Sequence, residues 1–233
     1  MRKDVEKLSA VYAASLASYG ATPKGLLWPN ATDLATRFEV LLGGIDFRRY
    51  TPANRLKLLD LGCGPGLLLE YLSENKLIDF VDYTGVDVLE ATLLEARSRS
   101  PDYRFELRDV RDFPFDEHHF DYCILCGVFT GKFAVTHAEM EAMAQEILRA
   151  VWPSVRIGLA FNVMSKHVDW ERDDLFHWPL DQIMAFCKAH LSRHASFRLD
   201  YGLWEVSTLV LKSPVERKSR LPPRWTENSI VPK

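Results

Sequence analysis

The run Leu58-Leu59-Asp60-Leu61-Gly62-Cys63-Gly64-Pro65-Gly66 passes from an apolar stretch through one carboxylate into three glycines at alternate positions, and leucines follow at 67, 68 and 69. That order predicts a buried strand, a tight turn and the start of a helix. Glycine lets the turn approach a bound molecule with no Cβ in the way, and the free N–H groups of the following helix point at the same place. The chemistry on offer is the cradling of a nucleotide-like cofactor. Three later positions have the character to share that crevice. Gly85-Val86-Asp87 ends a second apolar run, and a carboxylate there can accept hydrogen bonds from two ribose hydroxyls. Arg108-Asp109-Val110 follows a third, where Asp109 offers an acceptor to the exocyclic amine of a purine and Val110 packs beside it. Cys126-Gly127-Val128-Phe129 closes a fourth, and its glycine again permits close backbone approach. Taken singly, an acid after a strand is a helix cap or a turn former. The order and spacing of all four make the pattern specific.

These groups need elements to hold them. Strands are expected at residues 56–61, 82–87, 103–107, 120–126 and 155–161, alternating with helices at about 66–75, 89–99, 136–150 and 179–190. Residues 196–201 and 205–211 flank a turn containing Gly202 and read as an antiparallel hairpin. Alternation of this kind implies a parallel sheet with helices on both faces, whose ligands sit at the carboxyl ends of the strands. Before it, Leu8, Val11, Tyr12 and Leu16 form one helical stripe, broken by Gly20, Pro23 and Pro29. A second helix from near Thr32 carries Leu34, Phe38, Leu41 and Leu42 and stops at Gly43-Gly44. The expected organisation is a helical N-terminal cap over 1–50, a cofactor-binding domain over 51–212 and an extended tail over 213–233.

The residues from 58 to 66 resemble the first motif of class I S-adenosylmethionine-dependent methyltransferases of the small-molecule type. Asp87 falls where that family keeps its ribose-binding acid, Asp109 matches its adenine-side position, and residues 120–129 resemble its fourth motif. The resemblance spans roughly 55–212. It implies a Rossmann-like, seven-stranded, mostly parallel sheet with an antiparallel C-terminal hairpin, S-adenosylmethionine as methyl donor and S-adenosylhomocysteine as product. The donor-binding residues it implies are Asp60, Gly62, Cys63, Gly64, Gly66, Asp87, Val88, Asp109, Val110, Cys126 and Gly127, with Gly62, Gly64 and Gly66 along the methionine part. Tyr19-Gly20, Leu27-Trp28 and Arg37-Phe38 are similar to the cap of some bacterial small-molecule methyltransferases, including enzymes of carbohydrate pathways. That likeness makes Tyr19 and Arg37 further donor contacts, Arg37 through a fork to the methionine carboxylate.

Other readings fit less well. A nicotinamide-dependent oxidoreductase carries G-x-G-x-x-G; counted from Gly62 and Gly64, its third glycine falls at 67, where this chain has Leu67. Gly127 to Lys132 lacks the spacing of a phosphate loop, with three residues between its glycines and Phe133 after the lysine. A non-catalytic subunit that only binds the donor would share the same cofactor residues. Amino-group methylation of bases resembles Asp/Asn-Pro-Pro-Tyr after the fourth strand, where this chain has Cys126-Gly-Val-Phe129.

The 233 residues are 47% hydrophobic and 26% charged, with a formal net charge of −3, so no basic balance speaks for nucleic acid or an anionic membrane. No apolar run is long enough to span a bilayer, and no leader-like apolar segment follows the charged start. Cys63, Cys123, Cys126 and Cys187 read as buried reduced thiols, with no second pair to complete a metal site, and reduced thiols suit a cytoplasmic protein. No metal is expected, and the expected partner is a small-molecule substrate. A hydroxyl acceptor, with a sugar intermediate as the first choice, calls for a base at the rim. His137, Asn162, His167, Asp169 and Glu205 qualify by position; His167 is expected as the base and Asn162 as an acceptor contact. Trp28, Trp170, Phe129 and Phe133 are candidates for an apolar acceptor pocket.

Overall fold

The computed structural model describes residues 2–28 and 30–215. The tail expected from 213 lies outside them from residue 216 onward.

Six helices matter for the site: α1 (Lys3–Tyr19), α2 (Ala31–Leu42), α3 (Leu67–Glu74), α4 (Glu90–Arg99), α5 (His137–Val151) and α6 (Leu180–Phe186). The strands are β1 (Leu56–Leu61), β2 (Val81–Asp87), β3 (Arg104–Leu107), β4 (Phe120–Phe129), β5 (Val155–Ser165), β6 (His177–Trp178), β7 (His194–Arg198) and β8 (Glu205–Leu211). The sheet runs β3-β2-β1-β4-β5-β8-β7, and the two-residue β6 pairs with the far end of β5. All pairs are parallel except β5 with β8 and β8 with β7. This is the expected Rossmann-like sheet with its antiparallel terminal hairpin. The strand order reverses between β1 and β4, which is the switch point where a crevice must open.

The period of two along each strand divides the core between the two faces. Leu59, Leu61, Cys123 and Leu125 pack with Met140, Met143, Ala144 and Leu148 of α5. Leu56, Leu58, Tyr122 and Ile124 face the opposite way, onto Leu34, Phe38, Leu41 and Leu42 of α2 and the leucines of α3. Helix α2 thus forms part of the second layer, and it begins where the Asn30 side chain accepts from Asp33 N–H at 2.8 Å.

Several boundaries differ from the sequence expectation, two of them because a glycine or a polar residue lies inside a buried strand. β4 continues to Phe129 because Gly127, with φ of +78°, forms a bulge across which the β4–β5 register shifts. β5 continues through Asn162 to Ser165 because the Asn162 side chain is fully paired inside the protein. The hairpin starts at His194 and its connection spans 199–204. α6 stops at Phe186 and passes into a π-turn over Cys187–Leu191. β6 carries no periodic signal in only two residues.

Candidate active site

A crevice opens over the switch point. Its floor is Leu61, Gly62 and Gly64 after β1, Asp87, Val88 and Leu89 after β2, Arg108, Asp109, Val110 and Arg111 after β3, and Cys126, Gly127 and Val128 in β4. The β1 turn takes its shape from its glycines. Gly62, Gly64 and Gly66 have φ of +81°, +53° and +87°, a region strained for other residues, and a Cβ on Gly62 would collide with Val128. The Gly62 and Cys63 amides donate to the Val86 carbonyl at 2.7 and 3.0 Å, which ties this turn to the end of β2. Asp87 completes the link: one oxygen accepts from Gly64 N–H at 2.8 Å and the other from Leu89 N–H at 2.9 Å. Each oxygen keeps a further lone pair for a ligand hydroxyl. Burial raises the Asp87 pKa, and these backbone donors pull it back.

A smaller cavity adjoins the crevice. Asp60, Gly62, Cys63 and Cys126 line it beneath Leu26 and Trp28. Asp60 is buried, and the Tyr83 hydroxyl donates to it at 2.6 Å. Burial pushes its pKa up to about 7, with the Tyr83 hydrogen bond opposing and the charge of Asp87 adding to the rise. Burial also lifts the Cys63 and Cys126 thiols well above their ordinary range, so neither is a ready nucleophile.

The roof comes from the N-terminal segment. Val5, Leu8, Ser9 and Tyr12 of α1 close the crevice from one side, and Leu26 and Trp28 close it from another. A Cβ on Gly127 would run into the Trp28 ring. Met143 and Ile147 of α5 complete the apolar wall. The stripe Leu8, Val11, Tyr12 marks α1 as amphipathic, and here Leu8 and Tyr12 lie over the crevice.

The other expected site residues fall as follows. Asp109 is at the crevice, but its carboxylate is held by the Arg111 guanidinium at 3.0 and 2.7 Å, and Arg111 also reaches Asp4 of α1 at 2.6 Å. Those bonds hold the Asp109 carboxyl below its usual range against the cost of burial. Gly66 lies behind the turn, where a Cβ would meet the Phe105 ring, and lines neither cavity. Tyr19 is exposed at the end of α1 with the Lys24 ammonium 4.1 Å from its ring centroid, away from the crevice. Arg37 corrects an expectation: its guanidinium is buried and bound through Nε and Nη2 to Glu205 Oε1, since a buried cation needs a buried counter-charge. Its carboxylate partner is therefore Glu205. Asn162 is a second correction. Its Oδ1 accepts from Gly127 N–H at 2.8 Å and its Nδ2 donates to Glu205 Oε2 at 2.6 Å, so neither group is turned to an acceptor. His167 is exposed on the loop after β5, where its backbone N–H donates to Ser165 Oγ, and it lines neither cavity. His137 Nε2 donates to the His177 carbonyl, 3.0 Å away.

A doubly wound sheet with a glycine turn, an acid after β2 and a crevice at the switch point defines a nucleotide-type binding enzyme of the Rossmann class. The comparisons with known proteins narrow it. The family described as "Methyltransferase domain" matches residues 58–154, the stretch from the glycine turn to the start of β5. A Mycobacterium tuberculosis (strain H37Rv) protein, Rv1506c, assigned by its name to the methyltransferases, is 31% identical over 171 residues, which span 71% of this chain and 99% of that protein. Among solved structures, the Burkholderia thailandensis 1,6-didemethyltoxoflavin N1-methyltransferase, with its substrate and S-adenosylhomocysteine bound, superposes with a TM-score of 0.58 at 15% identity, covering 91% of this chain and 92% of that one. A Leishmania major S-adenosylmethionine-dependent methyltransferase gives 0.55 at 16% identity, covering 90% and 85%. The chain belongs to the class I S-adenosylmethionine-dependent methyltransferase family. It is an enzyme of that family, and the oxidoreductase and donor-binding-only readings fall away.

Proposed function

We propose that the protein transfers a methyl group from S-adenosylmethionine to a hydroxyl oxygen of a small molecule, with sugar intermediates as the first acceptors to test. The observation that carries the donor assignment is the joint between the two strand ends: Asp87 accepts from Gly64 N–H at 2.8 Å on the floor of the crevice. The residues present fit an adenosyl compound. Glycines stand where any side chain would fill the cradle, a carboxylate with free lone pairs faces the ribose position, and Val88 and Val110 give apolar walls for a purine. The Burkholderia methyltransferase holds S-adenosylhomocysteine and the Leishmania enzyme is named as S-adenosylmethionine-dependent, which supports the reading.

The donor supplies an activated methyl on a sulfonium. The chain's own work is orientation and exclusion of water. Asp87 fixes one end of the ligand; the amides of the β1 turn are themselves bound to Val86, Asp87 and Cys63, so the turn shapes the cradle and does not donate to the ligand. Asp60, whose pKa burial lifts to about 7, gives the smaller cavity a carboxyl group that a cationic ligand would favour in its ionised form. Helix α1 and Trp28 cover the crevice with apolar side chains. His167, on the exposed loop after β5, is the base to test for an alcohol acceptor.

The experiment is a transfer assay with methyl-labelled S-adenosylmethionine against a panel of nucleotide-linked sugars, free sugars, phenols and amines. Label on a sugar or phenol hydroxyl supports oxygen transfer; label only on amines overturns it. In the active case, turnover unchanged in His167→Ala removes that residue as base.

A further inference from the structure

Two residues 168 positions apart, Arg37 in α2 and Glu205 at the start of β8, meet in a buried ion pair. The pair does not end there. Glu205 Oε1 takes the guanidinium, while Oε2 takes the Asn162 amide at 2.6 Å. Asn162 in turn accepts the Gly127 N–H at 2.8 Å, and the Gly127 carbonyl accepts from Thr130 Oγ1 at 3.1 Å. Arg37, Asn162 and Glu205 are all buried. At its other end, the Arg37 guanidinium lies 4.3 Å from the centroid of the Trp28 ring, which sits against Gly127. The network therefore touches two walls of the crevice, the Gly127 bulge from below and Trp28 from above.

A buried ion pair is a poor way to gain stability, because desolvation offsets most of the attraction. Arg37 Nη1 is even left without a partner. What such a network does well is hold groups in one arrangement. Gly127 sits at a bulge with φ of +78°, where the β4–β5 ladder gives way, so its amide has lost the usual sheet partner and is held by a side chain instead.

We propose that Arg37, Glu205 and Asn162 act as one positioning unit for donor binding: through Asn162 they hold the Gly127 bulge, and through Arg37 they hold Trp28 over it. None of the three lines the crevice, so each acts through another residue. The inference rests on the reading of the crevice as the donor site.

The test uses the way hydrogen-bond roles alternate along the network. Glu205→Gln alone sets one amide N–H against the Asn162 amide or the guanidinium. Asn162→Asp alone sets two carboxylates together. The double variant Asn162→Asp/Glu205→Gln keeps every bond and the net charge: Gln accepts from Arg37 and donates to Asp, and Asp accepts from Gly127 N–H. S-adenosylhomocysteine affinity by calorimetry should fall about tenfold or more in each single variant and return to within about threefold in the double. If both single variants bind as tightly as the parent, or if the double regains thermal stability without regaining affinity, the positioning role is wrong. Should the single variants fail to fold, exchange of the Gly127 amide in the parent protein decides: the unit requires it to be protected, and exchange at the rate of an open loop overturns the proposal. A parent protein that does not bind S-adenosylhomocysteine at all would instead refute the donor-site reading.

Discussion

At the scale of single residues, Asp60 is the group whose state is most exposed to solution conditions. An unfolded aspartate ionises near 4, whereas burial holds Asp60 protonated up to about 7. Between those values the folded protein carries the extra proton, so stability falls as pH rises, by up to about 1.4 kcal/mol per pH unit, and levels off above the folded value. Asp60→Asn keeps an acceptor for the Tyr83 hydroxyl but cannot ionise. Urea unfolding of both proteins from pH 4 to pH 8 should show the variant gaining on the parent up to about pH 7 and running parallel beyond it. A constant difference across that range would mean that Asp60 is ionised throughout. Burial raises Asp87 as well, and there two backbone donors oppose it while holding both carboxyl oxygens in place at the crevice.

At the scale of elements, the start of α5 sets where the wall formed by Met143 and Ile147 stands. Thr136 accepts from Glu139 N–H at 3.2 Å and Glu139 accepts from Thr136 N–H at 2.7 Å, a reciprocal cap. Thr136→Ala should cost about 1 kcal/mol in urea unfolding, and a change within error would show that the helix start is fixed by packing alone. What could be read in advance at this scale was local. The glycines after β1 and the acids after β2 and β3 stand beside the strand ends that place them, so strand order was enough to bring them together. The amphipathic stripe of α1 told that one face is buried but not against what. The pairing of Arg37 with Glu205 was out of reach, because no pattern along the chain links a helix near the start to the last strand. The carboxylate expected for Arg37 proved to be the protein's own. Asn162 and Gly127 looked like strand ends because a polar residue or a glycine inside a buried strand is normally an interruption; here each repairs the other.

At the scale of the whole molecule, the sheet separates two duties. Its two faces carry the cores built with α5 on one side and with α2 and α3 on the other. Its carboxyl edge at the β1–β4 reversal carries the crevice. The N-terminal helices serve both: α2 packs into the second layer while α1 roofs the crevice and is latched to it through Asp4, Arg111 and Asp109. That latch joins the roof to the loop proposed for the adenine side, so the crevice is closed by the segment that the family match at 58–154 leaves out. No helix among the described residues is long and apolar enough to cross a membrane.

The most direct measurement is calorimetric titration of S-adenosylhomocysteine into the parent protein and into Asp87→Ala, with NAD as comparator. The account predicts saturable binding of S-adenosylhomocysteine to the parent, a loss of about 2–4 kcal/mol in the variant, and no binding of NAD. Folded parent protein that gives no heat with S-adenosylhomocysteine, or a variant that binds it as tightly as the parent, would contradict it.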